Sequence, residues 1–118
     1  MMMLPKDSAG RHRAASIMLA LCVLSAGWLM AVSAAAATHT IVMEGVAFVP
    51  ETVTVRQGDT VVWVNRDPFP HTATALDRSF DSGEMGPDKL WKYTARNKGK
   101  VGYVCTLHPT MKGMLIVE

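Results

Sequence analysis

The sequence predicts an all-β protein, a Greek-key β-sandwich of about seven or eight strands that is preceded by a signal peptide. After residue 37, apolar and polar residues alternate over short segments, and no segment shows the period of an amphipathic helix. Turn residues separate these segments at intervals of roughly ten residues, as in β-sandwiches. The first 37 residues have a different composition, which indicates a leader rather than part of the fold.

Residues 1–37 have the organisation of a secretory signal peptide. A basic start precedes an uncharged, mostly apolar stretch over 17–32, and small residues from Ser33 onward follow it. We expect the exported protein to begin between Ala36 and His39 and to be periplasmic. An uncleaved membrane anchor is the alternative, although the apolar stretch is shorter than the ~18 residues that usually span a bilayer.

Composition and charge exclude several classes of protein. The chain has 118 residues and a net charge of +2, which suits one small domain over 38–118. We expect no nucleic-acid partner, because such a domain needs a concentrated basic face. Phosphate-binding loops and nucleophile elbows are absent from the sequence, so we expect no enzyme. After cleavage we expect a monomer without stable membrane association.

The first three predicted strands precede a proline-containing loop. The second alternates, so that Val53 and Val55 share one face, and a tight turn at 57–59 leads into the third, which is more apolar. Two prolines in the segment 66–70 then interrupt strand pairing. The three predicted strands are 40–44, 51–56 and 60–65.

Four further strands are predicted in the second half of the domain. A polar loop over 77–88 separates the first of them from the rest, and the sequence predicts its structure least. We expect Trp63 and Trp91 to pack in the core or across strands. Val101, Tyr103 and Cys105 alternate and therefore share one face. The four predicted strands are 71–76, 89–95, 100–105 and 113–117.

One short segment combines three residue types that bind metals. Cys105, His108 and Met111 follow one another at three-residue intervals just after a predicted strand, and His71 lies upstream after a proline. Two imidazoles, one thiolate and a weak thioether are the ligands of a blue-copper electron-transfer site. Soft sulfur suits Cu(I) and imidazole suits Cu(II), so this set serves both states. The sequence therefore predicts one mononuclear type 1 copper ion.

Three other interpretations of the same residues stay open at this stage. Cys105 is the only cysteine left once the leader, with Cys22, is removed, so an internal disulfide is excluded. Buried cysteine is also common as a small apolar residue. A zinc site rarely uses a thioether, and it would make the protein a colourless interaction domain. A catalytic Cys–His pair would lack an orienting third group.

Longer stretches resemble the cupredoxins, the plastocyanin-like blue copper proteins, and are most similar to the amicyanin type. The short spacing from Cys105 to Met111 is that of amicyanins. The resemblance implies an eight-stranded sandwich, with His71, Cys105 and His108 as equatorial copper ligands and Met111 as the axial one. The matching stretches are 55–71, 102–105, 105–111 and 112–118.

Thr72 departs from the family pattern, in which the residue after the first histidine is commonly asparagine. We expect its backbone N–H to donate to the Cys105 sulfur and its hydroxyl to reach Thr106. Leu107 and Thr110 stand where the family often has proline and phenylalanine.

The predicted function is one-electron transfer between a donor and an acceptor redox protein. We expect His108 near the surface, surrounded by the apolar residues Phe69, Pro70 and Pro109, as the port for electrons. The alternative is a periplasmic copper-binding protein for copper delivery or resistance, which the ligands alone do not distinguish from a carrier. If cleavage follows Ala36, a free amine two residues before His39 is a further candidate Cu(II) site.

Overall fold

The computed structural model describes residues 34–118 continuously, together with residues 2, 3, 27, 28 and 30. The predicted signal peptide, residues 1–37, lies mostly outside the described residues and stays a prediction. The sandwich belongs to one compact unit, Ser33–Glu118. Within the described part of the chain, no helix is long and apolar enough to cross a membrane.

In the described residues, eight strands form two four-stranded sheets, which confirms the predicted β-sandwich. The order is β2-β1-β4-β6 in the first sheet and β3-β8-β7-β5 in the second. Each sheet contains one parallel pair, β1 with β4 and β3 with β8, and its other pairs are antiparallel. The strands are β1 (Thr38–Met43), β2 (Phe48–Val49), β3 (Thr52–Val55), β4 (Thr60–Asn65), β5 (Thr74–Ala75), β6 (Leu90–Thr94), β7 (Gly99–Val104) and β8 (Lys112–Val117).

Two strands differ from the prediction. The predicted strand over 71–76 is reduced to β5, because His71 pairs instead with Met85 through two backbone hydrogen bonds of 3.0 and 2.8 Å. The sequence did not predict β2, whose two residues are too few to show an alternation. The other predicted strands are present: β4 has the predicted bounds, and the ends of the rest differ by at most two residues.

Aromatic side chains fill the space between the sheets. Trp63 and Trp91 are cross-strand partners with ring centroids 5.5 Å apart, which confirms their predicted packing role. Tyr103 packs edge-on against Trp63 from the other sheet, also at 5.5 Å. The loop over 77–88 was predicted only as polar, but its Phe80 is buried and lies 5.3 Å from Trp63. This loop therefore contributes to the core.

The chain segments at the end of β7 and the start of β8 bring the predicted ligand loop to one end of the sandwich. Cys105 follows β7 directly, and Met111 precedes β8. The loop is closed by backbone hydrogen bonds from Cys105 N–H to the Met111 carbonyl (3.1 Å) and from Met111 N–H to the His108 carbonyl (2.9 Å). The antiparallel pairing of the two strands thus fixes both ends of the loop.

Candidate metal centre

Three of the four predicted ligands converge on one point. The Nδ1 atoms of His71 and His108 are 3.2 Å apart, and Sγ of Cys105 lies 3.7 Å from each. A point equidistant from these atoms lies about 2.1 Å from each of them, which is close to metal–imidazole distances. The three donors therefore fit a single mononuclear metal ion.

The ligand residues differ in their access to solvent. His71 and Cys105 have no exposed surface, and Met111 is 1% exposed. His108 is half-buried. Met111 thus lies in the interior at the end of the same short loop.

Asp67 fixes the orientation and the tautomer of His71. The Nε2 atom of His71 lies 2.7 Å from Oδ2 of Asp67, and the same carboxylate accepts backbone N–H groups of Gly45 (2.8 Å) and Val46 (2.9 Å). Because Nε2 donates its proton to this carboxylate, Nδ1 presents a lone pair toward the other ligands. Sequence analysis missed Asp67, although an acidic residue four positions before a predicted ligand is a usable signal.

Hydrogen bonds keep the Asp67 carboxylate ionised despite its burial. Burial by itself raises the pKa of Asp67, but the hydrogen bonds from Val46, His71 and Gly45 outweigh it and leave the pKa below its ordinary value. A negative charge therefore lies on the far side of the His71 ring from the metal position. Such a charge favours the more highly charged state of a bound metal.

Asn65 braces the loop that carries Asp67 and His71. Its side-chain amide donates to the carbonyls of Phe69 and Met85, both at 2.9 Å, while its Oδ1 accepts the Asp67 N–H at 2.9 Å. The residue is completely buried at the end of β4. The proline-containing segment is therefore held by three hydrogen bonds between the Asn65 side chain and backbone groups, rather than by strand pairing.

Thr72 links the two ligand-bearing segments as expected from the sequence. Its backbone N–H donates to Sγ of Cys105 at 3.3 Å. Its hydroxyl oxygen accepts the Thr106 N–H at 2.9 Å and lies 3.2 Å from the Thr106 hydroxyl. The Thr72 N–H therefore holds the sulfur in position. The threonine thus braces the two segments against each other.

An apolar surface surrounds the exposed edge of His108. Phe69 is 38% exposed, and its ring centroid lies 5.6 Å from that of His108. Leu107 was not among the residues predicted to surround His108, and it is 41% exposed. Pro70 and Pro109 are also exposed. The expected position of His108 near the surface is confirmed.

His39 takes part in a different arrangement from the Cu(II) site considered above. Its Nε2 lies 2.9 Å from Oδ2 of Asp59, and its backbone belongs to β1, in register with Val61 of β4. An amine-terminal Cu(II) site would use backbone nitrogens of the same residues. The structure supports a hydrogen bond between His39 and Asp59 rather than that site.

Fold and donor geometry together define a small β-sandwich protein with a mononuclear cysteine–histidine metal site. The profile of the cupredoxin-like domain matches residues 14–117. The chain belongs to this cupredoxin-like family. The match begins inside the segment predicted as the leader.

Two individual proteins are similar to this chain in sequence. Amicyanin of Paracoccus versutus is 32% identical over 81 residues, which are 64% of this chain and 61% of that protein. The chain thus spans less than two thirds of this relative. Chloroplastic plastocyanin of Tetradesmus obliquus is 33% identical over 128 residues, covering 96% of this chain and 86% of that protein.

Solved structures show the same fold. An amicyanin variant in its Cu(I) form superposes with a TM-score of 0.65 at 26% identity, over 69% of this chain and 82% of the other. A copper-containing nitrite reductase from Thermus scotoductus SA-01 gives the same TM-score at 29% identity, but the match covers only 22% of that enzyme. The predicted copper cofactor agrees with these relatives.

Proposed function

We propose that this protein is an exported one-electron carrier that holds one type 1 copper ion. His71, Cys105 and His108 are the equatorial ligands, and Met111 is the axial ligand. The observation that carries the proposal is the convergence of two Nδ1 atoms and one Sγ atom at 3.2 and 3.7 Å in the protein interior. When bound, copper supplies reversible one-electron chemistry between Cu(I) and Cu(II).

The protein's own role is to keep the donor atoms in place in both oxidation states. Asp67 holds the His71 ring, and the Thr72 N–H holds the Cys105 sulfur. Because neither ligand has exposed surface, solvent does not reorganise around them when an electron arrives. A pre-organised site of this kind favours rapid electron transfer.

The half-buried His108 supplies the route between the site and a partner. Its ring is the ligand that approaches the surface, and Phe69 and Leu107 beside it are partly exposed. A small apolar surface of this kind suits brief docking of a donor and an acceptor redox protein. A copper-delivery protein would instead need ligands that open to an acceptor, and the buried His71 and Cys105 favour the carrier.

An optical and electrochemical comparison of three proteins tests the proposal. The natural chain with copper should show an intense visible band from thiolate-to-copper charge transfer, and Cys105→Ser should abolish it. Met111→Leu should keep the band and raise the reduction potential, because loss of a weak axial donor disfavours Cu(II) more than Cu(I). An unchanged potential in Met111→Leu would show that Met111 is not the axial ligand, and a colourless natural protein would refute the copper site.

Three further measurements separate a carrier from a delivery protein and test export. A carrier retains Cu(I) in the presence of a moderate Cu(I) chelator and exchanges electrons rapidly between its own copies. Rapid loss of Cu(I) to the chelator, without rapid self-exchange, would favour delivery. Cell fractionation with the natural leader should place the protein in the periplasm.

A further inference from the structure

A second cluster of polar groups lies at Asp59, in the turn between β3 and β4. The residue is only 5% exposed. Its Oδ1 accepts the backbone N–H of Ala37 at 2.9 Å, while its Oδ2 accepts the N–H of Arg56 at 3.0 Å and lies 2.9 Å from Nε2 of His39. In the described part of the chain, His39 is the titratable side chain in hydrogen-bond contact with this carboxylate.

Ala37 is the point at which the chain joins the sandwich. Its N–H contacts Asp59, its carbonyl accepts the Thr60 N–H at 2.9 Å, and β1 begins at the next residue. Residues 34–36, directly before it, are exposed and belong to no strand. The sheet therefore requires Ala37 but none of the three alanines before it.

The sequence alone leaves the first residue of the mature chain open. Cleavage after residue 35, 36 or 37 in each case places small residues at the two positions that a signal peptidase recognises. The structure distinguishes these sites. Cleavage after 37 removes both Ala37 contacts, and cleavage after 35 puts the new amine one residue, about 3.8 Å, farther along the chain.

We propose that signal peptidase cleaves between Ala36 and Ala37, and that the new α-ammonium group of Ala37 forms an ion pair with Asp59. This inference rests on the proposed export. Water adds across the peptide bond, so that Ala36 leaves with a carboxylate and the Ala37 amine takes up a proton. The nitrogen already lies at hydrogen-bond distance from Oδ1, so the contact becomes charge-assisted without a change of position.

The ion pair gives Asp59 a partner whose charge is constant around neutral pH. By contrast, the side chain of His39, which also contacts Asp59, is charged only when protonated. An α-ammonium group ordinarily stays protonated up to about pH 8, and a carboxylate beside it extends that range. Removal of the signal peptide thus adds an ion pair to the backbone hydrogen bonds that hold the start of β1 beside β4.

The first test uses the full chain exported with its own leader. Intact-mass and N-terminal analysis of the purified periplasmic protein should give Ala37 as the first residue. A chain that begins at any other residue would overturn the assignment. A chain that retains its leader would overturn both this inference and export, whereas the copper spectrum of the same sample tests the copper site independently.

The second test measures the ion pair. The α-amine is labelled by reductive methylation with ¹³C-formaldehyde and titrated by NMR in a chain released from a cleavable fusion to begin at Ala37. We expect its pKa about one unit above the ordinary ~8, a tenfold shift in the protonation equilibrium. The matched control begins at Ala36 and should titrate near the ordinary value.

Asp59→Asn in the chain that begins at Ala37 should also return the amine to its ordinary pKa. If this variant does not fold, the comparison of the two start sites carries the test by itself. Equal pKa values for chains that begin at Ala36 and Ala37 would overturn the ion pair.

Discussion

The carboxylate of Asp67 lies 2.7 Å from Nε2 of His71, while Nδ1 of the same ring points toward Cys105 and His108. The imidazole therefore connects an anionic group on one side with the metal position on the other. Two backbone N–H groups hold the carboxylate from behind. Asp67 thus controls both the position of a ligand and the charge near the metal.

Asp67→Asn should raise the reduction potential, because removal of the negative charge weakens Cu(II) binding more than Cu(I) binding. Loss of such a partner typically lowers metal affinity 10–100-fold. A tenfold effect confined to Cu(II) corresponds to a rise of about 59 mV in a one-electron potential. Voltammetry and copper competition measure both quantities.

Asp88→Asn is the matched control for Asp67→Asn. Asp88 is an exposed acid that pairs with Arg66 at 3.3 Å on the surface, so its removal should leave the potential unchanged. If Asp67→Asn keeps the blue band and the natural potential, the carboxylate does not influence the metal.

Gly113→Ala should destabilise the protein, because a methyl group at this position overlaps the phenol ring of Tyr103 on the neighbouring strand. Tyr103 is fully buried and cannot move without disturbing Trp63. Overpacking of this kind costs about 1–3 kcal/mol. Urea denaturation of the copper-free protein measures the loss.

Gly86→Ala provides the comparison, since no atom lies within 4 Å of the added methyl group. Its free energy of unfolding should stay within about 0.5 kcal/mol of the natural value. Equal stability of the two alanine variants would contradict the close contact between Tyr103 and Gly113.

Tyr103→Phe should reduce the loss of stability that the natural protein shows at alkaline pH. Burial raises the pKa of Tyr103 from its ordinary 10.0 to about 12. Stability from this group is fully present below pH 10 and is lost as pH rises toward 12, because the unfolded chain releases the proton first. The natural protein should lose about 2–3 kcal/mol more than Tyr103→Phe across this range. Parallel pH profiles of the two proteins in urea would refute this.

The contribution of Asp59 to stability should disappear in acid. Hydrogen bonds from Arg56, His39 and Ala37 lower the pKa of Asp59 from 3.8 to about 2. Because the folded-state pKa is depressed, the stabilisation is complete above pH 3.8 and is lost as pH falls through about 2. Unfolding measurements should show Asp59→Asn converging with the natural protein over this window. A constant difference down to pH 2 would contradict the prediction.

Strand positions could be predicted where alternation extends over several residues, as in β4 and β7. The pairing of His71 with Met85 could not be predicted, because an isolated bridge leaves no periodic pattern in the sequence. The sequence also did not predict that Phe80 fills the core from a polar loop. Both features depend on which segments the folded sheets bring together.

Candidate ligands could be predicted from the sequence because cysteine, histidine and methionine are residues that bind copper and three of them follow one another at short spacing. The contact of Thr72 with the Cys105 sulfur was also expected and is confirmed. Asp67 was missed because carboxylates are common in loops, and only the folded structure shows that this one is buried against a ligand. The environment of a ligand therefore depends on distant backbone groups such as that of Gly45.

The parallel pairing of β1 with β4 and of β3 with β8 has a kinetic consequence. These strands meet only after long stretches of chain have been organised, so folding depends on contacts distant in sequence and should be slow for a domain of this size. The loop that contains Cys105 and His108 closes locally, but His71 comes from 34 residues away. Until the sheets close, the Cys105 thiol is accessible to oxidants. With the export proposed above, oxidation of this thiol would therefore compete with folding.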